Sequence, residues 1–160
     1  MSSMENLAEA LRLKREKDEA ASAPSNEQVQ QWEQSLKTLF AQLESWMSPL
    51  IESGVAKVRR VTKTKSENPS SDVFVSYEVP MLIIEINHKT AVVDVIGLFV
   101  SNTDGRVGLI GDDKRFLISR SLSPTEGWII STYLNTSDTA PSVERPLSEE
   151  ALAEALANYL

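Results

Sequence analysis

Val29, Trp32, Leu36, Leu39, Leu43, Trp46 and Leu50 recur at alternating steps of three and four residues. That spacing puts all of them on one side of an α-helix, so the chain must supply a surface for a long apolar stripe to cover. Phe40 and Met47 widen the stripe to the broad face of a helix packed on a globular core, where a coiled-coil seam would be narrower. Ser25 or Asn26 serves as N-cap, and Glu27 suits the positive end of the helix dipole. Pro49 predicts a kink or a fresh start at Ser48–Pro49, and Gly54 predicts the stop. A stripe of this length can also join two copies, so a homodimer is a second use for it.

What the helix packs on follows from the next eighty residues, where the apolar period falls to two. Six or seven strands are expected, at 55–64, 72–79, 81–87, 90–100, 106–110, 115–121 and 128–134. The segments between them, "SENPSS", "NHKT", "SNTDG", "GDDK" and "SPTEG", are short and rich in turn residues, which makes neighbours antiparallel and the sheet a meander. "MLIIEI" and "VVDVIGLFV" are apolar on both faces, so the middle of the sheet should be covered on both sides or curled around the helix. Residues 135–146 read as a polar loop. Ser148 then caps a closing helix over 148–160, with Glu149 and Glu150 in its first turn and Leu147 placed to staple against Leu152. The expected fold class is α+β: an antiparallel meander of five to seven strands packed on one long amphipathic helix, with a C-terminal closing helix.

Ahead of that domain, placed at 25–160, residues 4–20 read as a highly charged helix whose apolar pairing is Leu7 with Leu11, followed by the linker "ASAPS". A helix with so little apolar face cannot hold itself. It is either a solvated extension or an element that docks on a partner or on a second copy.

Composition narrows function. Hydrophobic residues make up 41% and charged residues 24% of 160 positions, the balance of a globular domain. A formal net charge of -7 argues against a protein that coats a nucleic-acid backbone. There is no cysteine, hence no disulfide, thiolate nucleophile or thiolate metal site. The N-terminal segment has no signal-peptide core, and "TAVVDVIGLFV" is too short and too charged to cross a bilayer, so a cytoplasmic protein without membrane association is expected.

Motifs for chemistry are sparse. "GRVGLIGDDKR" spaces its glycines as G-x-x-G-x-x-G, which matches neither the dinucleotide nor the P-loop pattern, and two aspartates follow Gly111 where a phosphate would have to lie. The stretch reads as two tight turns, with Gly105 as the positive-φ residue of one and Gly108 allowing close packing between them. His88 is the sole histidine and falls in a turn. Glu85 and Asp94 are the one carboxylate pair of interest. If "NHKT" is the hairpin turn, Glu85 faces Val92 and Asp94 lies diagonally across, a pair that could hold a divalent cation or run acid–base chemistry. No cofactor motif is present.

The strand "KVRRVTKTK" is the one charge concentration against the overall sign. Alternation puts Lys57, Arg59, Lys63 and Lys65 on one face. Such a row guards an edge strand against aggregation, or docks an acidic protein surface. No aromatic residue alternates with the cations, as base stacking would require. The order of elements is shared by small binding modules such as immunity proteins and secretion accessory proteins. The expected function is therefore that of a non-enzymatic, protein-binding accessory or immunity-type protein. It would act through Lys57, Arg59, Lys63 and Lys65 and through Leu7 and Leu11. The alternative is a small metal-dependent hydrolase or nuclease using Glu85 and Asp94.

Overall fold

A computed structural model describes residues 2–100, 103–112, 114–133 and 143–158, the side chains of 16–26 excepted. The helix α1 (Ser3–Glu52) leads into seven strands, β1 (Ala56–Ser70), β2 (Val73–Ile86), β3 (Lys89–Gly97), β4 (Arg106–Ile110), β5 (Arg115–Ser121), β6 (Gly127–Tyr133) and β7 (Glu144–Pro146), and α2 (Glu149–Ala157) closes the chain. The strands pair in chain order as one open antiparallel sheet, so the fold is α+β and the sheet is a meander.

The stripe on α1 forms the core as its spacing requires. Val29, Trp32, Leu36, Leu39, Phe40, Leu43 and Met47 are buried, while Trp46 and Leu50 pack at the margin. Each large side chain so buried contributes roughly 1.5–3 kcal/mol. Opposite them lie Leu82, Ile84, Val93, Val95, Val107, Leu109, Phe116, Ile118 and Ile130 from the middle strands. The buried side of α2 (Ala151, Leu152, Ala155, Leu156) covers the same face. On the opposite face Ile83, Val92, Ile96, Ile110 and Leu117 stay only half-buried. Both helices thus serve one face, where the sequence allowed for cover on two.

The bounds of α1 take in the expected linker at 21–25 as well as Pro49. The helix runs past Ser48–Pro49 and ends one turn later in a Schellman arrangement. The Val55 N–H donates to the Leu50 carbonyl and the Gly54 N–H to that of Ile51, both at 3.1 Å, with Gly54 at φ +80°. Pro49 withholds the one N–H that would reach the Ser45 carbonyl, and the Schellman bonds close the helix within the following turn.

Of two expected breaks between strands, the one at Pro80 is absent and the one at "SENPSS" shrinks to the turn at Ser71–Asp72. β2 continues through Pro80, and β1 runs through most of "SENPSS" to Ser70. Pro80 lies where β2 has already lost its second neighbour, because β3 pairs only with Leu82 to Ile86, and Pro69 lies on an edge strand. At both places a missing N–H is tolerated. From Val73 to Met81 the first hairpin is therefore a two-stranded ribbon. Its register with β1 is unbroken from Ala56↔Ile86 to Glu67↔Val75, yet the buried positions of β2 change phase between Val79 and Leu82. A phase change without a bulge is twist, which is strongest in two-stranded ribbons. It turns Val75, Tyr77 and Val79 into the core beside Trp32.

The short strand β7 lies inside the segment expected to be a polar loop. Ile130 pairs with Arg145 and Ile129 with Pro146, a strand too short and too polar to announce itself by alternation. The cap of α2 is as expected, with the Ser148 hydroxyl accepting from the Ala151 N–H at 3.0 Å.

Candidate functional site

The sheet has two unequal edges. β7 offers three residues and ends in Pro146, whereas β1 offers fifteen. The basic row lies on that long edge. Lys57 and Arg59 are exposed, across from Glu85 and Ile83, while Lys63 and Lys65 lie on the twisted ribbon across from Val79 and Tyr77 and are half-buried. The cations divide further by their partners. The Lys63 ammonium is 2.5 Å from a carboxylate oxygen of Asp94, and Arg60, on the other face, donates to Glu44 of α1 at 2.9 Å. Among the described residues Lys57, Arg59 and Lys65 make no ion pair.

Glu85 and Asp94 are not brought together. The hairpin turn is the two-residue Asn87–His88, with φ of +48° and +67°, so Ile86 pairs with Lys89 and Glu85 with Thr90. This I′-type turn shortens the expected four-residue loop and moves the register by two. Glu85 thus faces Thr90 in place of Val92. Asp94 lies four residues further along β3 on the same face, roughly 13 Å away at strand rise. His88 is exposed in the turn. Among the described residues no three His, Cys, Asp or Glu side chains are grouped as a metal ion would need.

The glycines of "GRVGLIGDDKR" serve packing. Gly105 sits at φ +124° with its α-carbon against the Trp32 ring, where a Cβ would collide. Gly108 is buried in β4, and Gly111 opens the β4–β5 turn, its N–H donating to the Lys114 carbonyl at 3.0 Å.

A buried polar cluster surrounds Trp32, and it is absent from the sequence reading. The Trp32 indole donates to the Tyr77 hydroxyl at 3.1 Å, and Tyr77 donates to the Glu67 carboxylate. Glu67 also accepts from the Leu98 and Phe99 N–H groups, each at 3.0 Å. Burial, with Glu67 adding to it, raises the Tyr77 phenol above its ordinary value. On the ring of Trp32 lies Arg120, its guanidinium carbon 4.8 Å from the centroid. Arg120 donates to the Asp104 carbonyl at 2.7 Å and to the Ser35 hydroxyl at 2.9 Å, and Ser35 donates to Glu126 at 2.6 Å. Burial pulls the Arg120 guanidinium below its ordinary value, and the charges of Glu126 and Asp104 oppose that shift. The cluster ties the ribbon, α1 and the loops after β3 and β5 to one another. The signal in the sequence was the phase of "RFLISRS", which places Arg120 on the inward side with Phe116 and Ile118.

The first turns of α1 stand apart from all this. Residues 2–15 are exposed throughout, with Met4, Leu7 and Leu11 at 76%, 51% and 58%. The helix nevertheless has a built start. The Ser2 hydroxyl accepts from the Glu5 N–H at 3.2 Å, and the Ser2 N–H donates to the Glu5 carboxylate at 3.1 Å, a capping box.

No protein-family model, curated protein or solved structure matches the chain. Among the described residues no helix is long and apolar enough to cross a membrane.

Proposed function

We propose that this chain is a non-enzymatic, protein-binding accessory protein that works by surface docking. The observation that carries the reading is the first part of α1, which is capped as a helix yet presents Met4, Leu7 and Leu11 to solvent at i, i+3 and i+7. Apolar side chains in that spacing on an exposed helix form the face that a groove or a second helix takes up. The basic edge of β1 is the second docking surface, with an acidic partner as its match. The hydrolase alternative would need Glu85 and Asp94 side by side, whereas the β2–β3 register spaces them apart and Lys63 occupies Asp94.

The test uses the full chain as bait in native lysate. Wild type is compared with Leu7→Asp/Leu11→Asp and with Lys57→Glu/Arg59→Glu, each checked by circular dichroism for an unchanged melting temperature. A stoichiometric protein lost with either variant supports the reading. No partner, or one indifferent to both variants, overturns it. Light scattering of the same samples separates a second copy from a different protein.

A further inference from the structure

The long edge of the sheet carries an inference about what the partner looks like. β1 pairs with β2 on one side over twelve consecutive register positions, and among the described residues no strand pairs with its other side. In a regular antiparallel ladder about every second N–H and C=O of such a strand points away from its neighbour. We propose that this edge accepts an extended acidic segment of a partner protein as an added antiparallel strand, with carboxylates opposite Lys57, Arg59 and Lys65. This inference rests on the docking function proposed above and specifies the partner at one of its surfaces.

Charge complementarity selects that occupant over the others. In an antiparallel pair, directly opposite residues share a face. If the added strand came from a second copy of β1 centred on Val61, Lys57 would face Lys65 and Arg59 would face Lys63, so cations would meet cations. Like charges directly opposite destabilise a pair. Single-stranded nucleic acid could meet the cations, but it would leave the edge N–H and C=O groups without strand partners, and β1 has no aromatic residue on which a base could stack.

The neutralised cations sharpen the prediction. Arg60 is already paired with Glu44 and Lys63 with Asp94, so residues opposite them need carry no charge. The favoured segment carries Glu or Asp opposite Lys57, Arg59 and Lys65, with Val or Thr at the positions between them.

The probe is a fluorescein-labelled peptide of about nine residues with Glu at the three positions that fall opposite Lys57, Arg59 and Lys65 and Val or Thr elsewhere, titrated with the full chain by anisotropy. Two further peptides carry N-methyl groups, one on the even positions and one on the odd. Strand addition predicts that one N-methylated peptide binds at least ~10-fold more weakly and the other nearly as well as the parent, because only one set of amides faces β1. It also predicts that Lys57→Glu/Arg59→Glu weakens the parent peptide at least ~10-fold, while Leu7→Asp/Leu11→Asp leaves its binding unchanged. Equal binding of both N-methylated peptides overturns strand addition and leaves acidic docking standing. An oligothymidylate that binds as tightly as the peptide also overturns it. If the acidic peptide does not bind while the charge reversal still removes a lysate partner, the inference fails and the proposed function survives. If neither variant pair affects any partner, both fall.

Discussion

Replacing Arg120 by methionine is the most direct probe of what holds the domain around Trp32. Methionine keeps an unbranched stem of similar reach, so the change removes charge and donors more than packing. Three interactions go: the bond to the Asp104 carbonyl at 2.7 Å, the bond to the Ser35 hydroxyl at 2.9 Å and the stacking on Trp32 at 4.8 Å. Hydrogen bonds from a charged group are worth about 1.5–3 kcal/mol each, and a desolvated cation over an indole adds about 0.5–2 kcal/mol. The apolar replacement recovers part of the desolvation of a side chain that is only 4% exposed, which brings the expected loss to about 3–5 kcal/mol. That is a large share of the ~5–15 kcal/mol that stabilises a domain. Urea unfolding followed by tryptophan fluorescence reads it directly, because Trp32 and Trp128 stack 5.8 Å apart beside the substitution. With a slope of about 2 kcal/mol per molar, the midpoint falls by roughly 1.5–2.5 M. Adding Glu126→Gln should recover at least ~1 kcal/mol, since Arg120 is the cation that offsets Glu126. A loss below ~1 kcal/mol, or strict additivity of the pair, would refute the assignment of Arg120 as the organising charge.

Four other outcomes follow from the same geometry. Gly105→Ala should cost more than ~3 kcal/mol because of its φ and the Trp32 ring, and Gly54→Ala only about 1 kcal/mol, because open space surrounds it; thermal melts of the two rank them. Tyr77→Phe strands the Trp32 indole and leaves Glu67 to the Leu98 and Phe99 N–H groups, and should cost about 1–3 kcal/mol in urea. Because the Tyr77 phenol is raised in the fold, its contribution is fully present below about pH 10, where an unfolded tyrosine is neutral. It is lost as the pH climbs beyond that, so wild-type stability should decline in alkali more steeply than that of Tyr77→Phe. Glu85→Gln and Asp94→Asn should be additive within ~0.5 kcal/mol in a double-mutant cycle, since the register holds the two carboxylates apart.

The helix stripe and the meander were legible because each rests on a periodicity that local sequence sets. From Val29 to Leu50 the heptad-like spacing admits one structure, and the bounds 106–110 and 115–121 hold to the residue because turn residues flank both strands. Pro80 and Pro69 misled for a common reason. A proline ends a strand only where its N–H is needed, and whether it is needed depends on neighbours that sequence order does not reveal. β7 was missed because three residues carry no period. The polar cluster was half legible: the alternation of "RFLISRS" sets the inward phase of Arg120, but its bond to Ser35 joins positions 85 apart and the Ser35–Glu126 bond positions 91 apart.

The carboxylate pair shows how little separates one functional reading from another. With a four-residue "NHKT" turn, Glu85 would face Val92 and lie one diagonal from Asp94, close enough to share a cation. With Asn87 and His88 both at positive φ, two residues suffice, and every partner of β2 moves by two along β3. Asp94 then comes within reach of Lys63, and the row of four cations on β1 is cut to three that make no ion pair among the described residues, Lys57, Arg59 and Lys65. One turn type therefore dismantles a candidate metal site and sets the charge pattern that a docking strand would read. Deleting Lys89 and Thr90 while keeping the Asn87–His88 turn should set Glu85 opposite Val92, bring Asp94 one diagonal away, and give a measurable gain in divalent-ion affinity by calorimetry. If the shortened hairpin binds no more cation than the native one, the spacing of Glu85 and Asp94 is not what withholds a metal site from this sheet.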